Sequence, residues 1–197
     1  SGSETLVAFQ SIDTNSDGYY DIGVSNTPKT WTTSDWDGYI SSLDSFQDTG
    51  VVVFALSNDD TKTEADISAA LPELFSSLQE AWINVANVNI SGTTSQTHSL
   101  ESAPCGVTAD YCLAADGFNI FAPGYHTELS GNNITLDGYH YQLTVGTSFA
   151  APQVSGAVAL LVNHFPNHSP EALADRLFAS ANNVIGFTQT GTVTFGN

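Results

Sequence analysis

At 197 residues with 41% hydrophobic content, the chain is long enough to bury a sizeable core as one domain and too apolar to be disordered. Three basic residues face 21 acidic ones, giving a net charge of −18. That balance lacks the Lys and Arg that phosphate neutralisation requires, so nucleic acid and anionic membrane surfaces are excluded as partners. No apolar run reaches the length of a membrane span, and the chain contains no methionine, which leads us to expect a processed or excised piece of a longer protein.

Along the chain, Leu6-Val7-Ala8-Phe9 reads as a short buried strand, and Asp21 to Val24 as a candidate second one. Between them lies an acidic, glycine-containing stretch. Asp13, Asn15, Asp17 and Asp21 place oxygen side chains in a short segment with Gly18 at the sixth position, as the opening of a calcium loop would. The twelfth position is Val24, so the bidentate glutamate of such a loop is missing, and an ordinary Asp/Asn/Gly turn is the plainer reading. Thr33 to Phe46 has helical spacing at Trp36, Tyr39, Ile40, Leu43 and Phe46, and Gly50 follows as a stop. Val51 to Leu56 is a continuous apolar run, expected for a parallel strand covered on both faces.

A polar stretch, Ser57 to Asp66, follows. Trp82 to Val88 is a further strand candidate, and Ser91 to about Phe118 reads as loop-rich. The two cysteines, Cys105 and Cys112, lie in that region. Their spacing suits a small disulfide loop in an oxidising compartment, with two buried thiols as the alternative; a metal pair lacks further ligands nearby. Ile120 to Ala122 leads to a predicted turn at Pro123-Gly124, and Tyr139 to Val145 alternates weakly, as a strand. Ser169, Pro170 and Glu171 mark the start of a final helix. Alternating strands and helices predict an α/β layered domain. The triplets at Asn89, Asn133 and Asn167 match glycosylation sequons, a pattern that arises often by chance.

The most informative stretch is Gly146-Thr147-Ser148-Phe149-Ala150-Ala151-Pro152, followed by an apolar helical run from Val154 to Val162. A serine at the mouth of a helix faces unpaired backbone N–H groups, which favour developing negative charge. Small residues on either side let backbone and substrate come close. The plainer alternative is a helix capped by Thr or Ser.

This segment resembles the nucleophile segment of the subtilases, the subtilisin-like serine proteases, and the likeness runs over nearly the whole chain. Val51-Val52-Val53-Phe54-Ala55-Leu56-Ser57-Asn58 is similar to the family strand that ends in the oxyanion-hole asparagine, with Ser57 where glycine is usual. Ala122-Pro123-Gly124 resembles the family's turn ahead of the nucleophile. The stretches Ala69-Ala70-Leu71-Pro72, Trp82 to Val85 and Cys105 to Ala115 are similar to protease passenger domains of bacterial autotransporters. The resemblance implies a three-layer subtilisin-like fold with a mostly parallel sheet. It implies Ser148 as nucleophile, Asn58 as oxyanion donor, a Cys105–Cys112 disulfide, and a protein secreted or held at the bacterial cell surface. No cofactor is implied as a requirement; calcium is an optional ion.

The departure lies in the rest of the triad. A subtilase carries Asp first, His second and Ser last, with the histidine in a His-Gly-Thr-type motif that this chain lacks. His98, His126, His140, His164 and His168 read as solvated or capping residues. Leu6 to Ile12 looks like the strand that follows the family's histidine helix, which would place Asp and His upstream of Ser1. Residues 1–197 are thus expected to be the C-terminal portion of one catalytic domain with an incomplete sheet. The expected activity is that of a serine endopeptidase, working on peptide or protein substrates through an acyl-enzyme, once an N-terminal segment supplies Asp and His. The alternative from another class is a noncatalytic subtilase-like adhesion or assembly module, and a third is a metal-dependent binding module on the acidic loop.

Overall fold

The computed structural model describes residues 33–91, 97–130 and 133–181; of these, the side chains of residues 33, 34, 97 and 125–140 are left aside. The strands expected at Leu6 and Asp21, and the candidate calcium ligands Asp13, Asn15, Asp17 and Asp21, lie outside the described residues.

Helix α1 (Thr33–Gln47) takes the predicted span. Its end is set where expected: the Gly50 N–H donates to the Phe46 carbonyl at 2.8 Å, and a Cβ on Gly50 would lie 2.5 Å from the Phe46 ring. Strand β1 (Val52–Ala55) follows, then the short helix α2 (Leu71–Leu74) and a 3-10 turn at Ser76–Gln79. Strand β2 (Trp82–Ser91) is the centre of the sheet. It pairs in parallel with β1 along one edge (Val52 with Trp82, Ala55 with Val85) and with β4 (Cys112–Asp116) along the other (Asn84 with Cys112, Val88 with Asp116). Strand β3 (Thr97–Leu100) runs antiparallel to the end of β2 (Val88 with Leu100). Val88 thus has β4 on one side and β3 on the other, so β3 continues the edge that β1 begins.

Alternation along β2 sorts its side chains onto two faces. Trp82 points to α1, packing with Trp36, Ile40, Leu71, Leu78 and Tyr111, and its ring stacks on Phe54 at 5.8 Å. Ile83 and Val85 point the other way, onto Ala150, Ala151, Val154 and Val158 of α3 (Thr147–His164) and Ala174 of α4 (Pro170–Ser180). Helices therefore cover both faces of a mostly parallel sheet, the three-layer arrangement expected. Helix α4 opens as predicted, with Ser169 Oγ accepting the Ala172 N–H at 3.2 Å and Pro170 in the first turn.

Two expectations are corrected. The region read as loop, Ser91 to Phe118, contains β3, β4 and a 3-10 turn at Gly106–Tyr111. The small residues of β4 carry no strand signature; pairing with β2 defines it. Pro123-Gly124 is not a turn but lies inside β5 (Ile120–Ser130), which forms a two-stranded ribbon with β6 (Asn133–Thr144), Pro123 opposite Tyr141 and Gly124 opposite His140. In a ribbon each strand has one unpaired edge, where a proline nitrogen forfeits no ladder bond. The strand expected from Tyr139 onward is the second half of β6.

Candidate active site

Helix α3 begins about two turns earlier than its apolar run, at Thr147, so Ser148 occupies its first turn and is exposed. Gly146 precedes it at φ 151°, a conformation that L side chains rarely adopt, and a Cβ there would sit 3.2 Å from Asn58 Oδ1. The glycine thus serves both the turn and the approach of Asn58.

Asn58 reaches this turn across 89 positions of sequence. Its Oδ1 accepts the Thr147 N–H at 2.8 Å and lies 3.1 Å from Thr147 Oγ1. The Thr147 hydroxyl donates its proton to the Leu56 carbonyl at 2.6 Å, which ties the end of the β1 run to the helix start. Because a backbone N–H demands an acceptor, the amide of Asn58 is oriented with its oxygen inward. Its Nδ2 faces solvent as a donor with no hydrogen-bond partner among the described residues. The Ser148 N–H likewise makes no hydrogen bond among the described residues, as expected for the first turn of a helix. Pro152, without an N–H, leaves the Ser148 carbonyl without its helical donor as well. Two free N–H donors and one exposed hydroxyl therefore share the mouth of α3.

The loop after Asn58 looks after itself. Asp59 accepts from the Thr61 hydroxyl at 2.6 Å and the Thr61 N–H at 3.0 Å, which holds its carboxyl below the usual range. Asp59 is therefore an ionised turn residue tied to Thr61. Glu64 accepts the Val107 N–H at 2.9 Å, fastening this loop to the Cys105–Cys112 disulfide loop, whose Cα atoms are 6.0 Å apart.

Beneath the helix mouth sits a contact that the sequence did not single out. Gly117, just after β4, accepts the Gly146 N–H at 3.0 Å and donates its own N–H to Asn87 Oδ1 at 2.8 Å. A Cβ on Gly117 would come 2.5 Å from the Gly146 carbonyl oxygen. Asn87 is fully buried on the face of β2 that carries Ile83 and Val85. The readable signal was an asparagine at an apolar-face position of a buried strand.

No histidine joins Ser148 among the described side chains. His164 stands at the opposite end of α3, about 24 Å away at 1.5 Å per residue. His168 contacts Arg176 at 3.1 Å and packs on Phe165, and His98 lies in β3 opposite Ile90. The side chains of His126 and His140 lie outside the described set. Among the described residues no group of three or more His, Cys, Asp or Glu is placed to hold a metal, and no helix is long and apolar enough to cross a membrane.

Comparison with known proteins gives the arrangement a family. The model of the subtilase family matches residues 15–196. An extracellular serine protease of Serratia marcescens is 27% identical over 134 residues, which is 63% of this chain and 12% of that protein. Among solved structures, a protease from Pseudoalteromonas arctica superposes with a TM-score of 0.51 at 23% identity, covering 77% of this chain and 42% of that one. A psychrophilic protease superposes with a TM-score of 0.52 at 17% identity, covering 79% and 51%. The fold is thus subtilisin-like, and the chain spans about an eighth of the length of the curated relative and about two fifths to one half of these solved chains.

Proposed function

Because the chain belongs to the subtilase family, we propose that it is the nucleophile-bearing part of a secreted serine endopeptidase, with Ser148 as nucleophile and Asn58 Nδ2 and the Ser148 N–H as the oxyanion donors. One observation carries the reading: the Thr147 N–H takes Asn58 Oδ1, which leaves Nδ2 free beside an exposed serine at a helix N-terminus. In this reaction Ser148 Oγ bonds to the carbonyl carbon of a peptide while its proton passes to an imidazole. The C–N bond then breaks, the proton goes to the leaving amine, and water releases the acyl group from Ser148. The two donors hold the oxygen that becomes negative.

The imidazole and its carboxylate partner are supplied, on this reading, by a segment upstream of residue 1. Two features leave room for a further segment beside β1, whether it comes from residues 1–32 or from upstream of them. Among the described residues β1 pairs only with β2. A groove of about 420 Å³ beside it is lined by Leu43, Phe46, Val51, Val53 and Val158, between α1 and α3. An extracellular location fits the disulfide and the extracellular Serratia relative.

A fluorophosphonate probe tests the assignment. It should label Ser148 in the protein joined to its upstream segment, weakly in residues 1–197 alone, and not in Ser148→Ala. Absence of labelling in the joined protein would favour a noncatalytic module. We also propose calcium binding by Asp13, Asn15, Asp17 and Asp21; a melting temperature unchanged by chelator removes it.

A further inference from the structure

Asn87 is an anomaly in its own strand. It is fully buried on the same face as Ile83 and Val85, where an apolar side chain would pack at no desolvation cost. Its amide is only half used: Oδ1 accepts the Gly117 N–H at 2.8 Å, and Nδ2 is buried with no hydrogen-bond partner. Its backbone is pinned on both sides, the N–H donating to Ser102 Oγ at 3.0 Å and the carbonyl accepting the Glu101 N–H at 2.9 Å. A residue that leaves a buried donor unsatisfied is poorly explained by stability.

The bond it does make leads to the helix mouth. Gly117 hangs from Asn87, and the Gly117 carbonyl accepts the Gly146 N–H at 3.0 Å. The Gly146 carbonyl in turn accepts the Phe149 N–H at 3.0 Å and the Ala150 N–H at 3.3 Å, closing the first turn around Ser148. The packing is tight enough to transmit a shift: a Cβ on Gly117 would lie 2.5 Å from the Gly146 oxygen, 2.7 Å from Asn87 Oδ1 and 3.1 Å from the Ala150 nitrogen. Asn58 grips this turn from its other side through Thr147. Two asparagines from adjacent strand systems therefore hold the turn: Asn58 at Thr147, and Asn87 at Gly146 through Gly117.

We propose that Asn87 is a positioning residue for the nucleophile, its side-chain oxygen setting the depth of Gly117 and hence the placement of the Gly146–Ser148 turn against Asn58. The inference rests on Ser148 being the nucleophile. With the acceptor gone, Gly117 is free to retreat into the space left by the amide, and the Ser148 hydroxyl and N–H move relative to the carbonyl they must meet. Displacements near 1 Å cost on the order of a hundredfold in rate.

The test uses the protein joined to its upstream segment, with peptide hydrolysis measured per folded molecule. Asn87→Ala should lower kcat by about tenfold to a hundredfold and leave KM within about twofold. Its melting temperature should fall by no more than about 2–4 °C, because the change strands the Gly117 N–H but also removes the unsatisfied Nδ2. Asn87→Asp keeps an acceptor oxygen and should restore most of kcat. Wild-type kcat in Asn87→Ala, or no recovery in Asn87→Asp, overturns the proposal. Should Asn87→Ala fail to fold, Gly117→Ala decides: its Cβ must push on Gly146, and an unchanged kcat would also overturn it. Ser148→Ala separates the premises. If that variant keeps activity, the nucleophile assignment is wrong; if it is inactive while Asn87→Ala is normal, only the positioning role is lost.

Discussion

Asn58 makes two separable contributions, and substitutions can divide them. In Asn58→Ala the Thr147 N–H loses its acceptor beside a buried residue. An orphaned buried donor costs about 1–3 kcal/mol, but Asn58 itself is exposed and water can occupy the vacated space, so the lower end, about 1 kcal/mol, applies. For a domain of this size that is a drop of about 2–4 °C in melting temperature. The same variant loses the outward Nδ2; loss of one such donor in subtilisin, a relative and not this chain, lowers kcat by about 10²–10³. Asn58→Asp keeps the inward oxygen and replaces the outward donor with a negative oxygen, facing what we propose as the site of developing charge. It should melt within about 1 °C of wild type near neutral pH, yet lose at least as much kcat as the alanine variant. Thermal melts and peptide hydrolysis, both on the protein joined to its upstream segment, provide the comparison. If the aspartate variant melts as low as the alanine variant, the inward oxygen is not what holds Thr147. If the alanine variant keeps more than about a tenth of wild-type kcat, Nδ2 is not an oxyanion donor.

Further outcomes follow from other contacts. Gly146→Ala forces a side chain into φ 151° against Asn58, a strain of about 1–3 kcal/mol; it should slow probe labelling of Ser148 at least about tenfold, and unchanged labelling would mean the turn adapts freely. Replacing both Cys105 and Cys112 by alanine opens a loop of sequence separation 7. Chain entropy puts the loss at about 2–2.5 kcal/mol, or about 5–10 °C, read by calorimetry. Tyr111 carries a buried hydroxyl with no partner in good geometry; burial, with the Glu73 and Asp110 carboxylates adding to it, pushes its pKa well above the ordinary tyrosine value. A raised folded pKa means this contribution is intact below about pH 10 and is lost as pH rises beyond it. Tyr111→Phe should therefore lose no more than about 1 kcal/mol of stability relative to wild type at pH 7 and show a flatter alkaline limb in stability against pH, the reverse slope being the contrary result.

What the sequence disclosed, and what it withheld, divides along the range of the interactions involved. Helix α1, β1, the core of β2 and the start of α4 were legible because local pattern, breaker and cap agree there with tertiary packing. The serine segment was legible because its small residues and the helix behind it form one local unit. Strand β4 was not, since Cys112 to Asp116 becomes a strand only through its register with β2. Pro123-Gly124 misled for a related reason: the pair reads as a turn locally, and only its partners on β6 show it to be strand.

The two asparagines of β2 show how far parity along a strand can carry an argument once register is known. Asn84 and Asn87 are both fully buried and lie three residues apart, so they face opposite sides of the sheet. Asn84 shares the Trp82 face, where it accepts the Trp82 Nε1–H at 2.8 Å and donates to the Ala69 carbonyl at 2.9 Å. Both ends of its amide are used, and its work is to hold the α2 connection onto the core. Asn87 shares the face of Ile83 and Val85, under the mouth of α3, and uses only its oxygen. Equal residue type, equal burial and the same strand thus resolve into two jobs by direction alone. A fully satisfied amide is accounted for by stability; one that leaves a donor stranded beneath the exposed serine of the helix mouth is accounted for, on the positioning role proposed above, by what its other end holds in place.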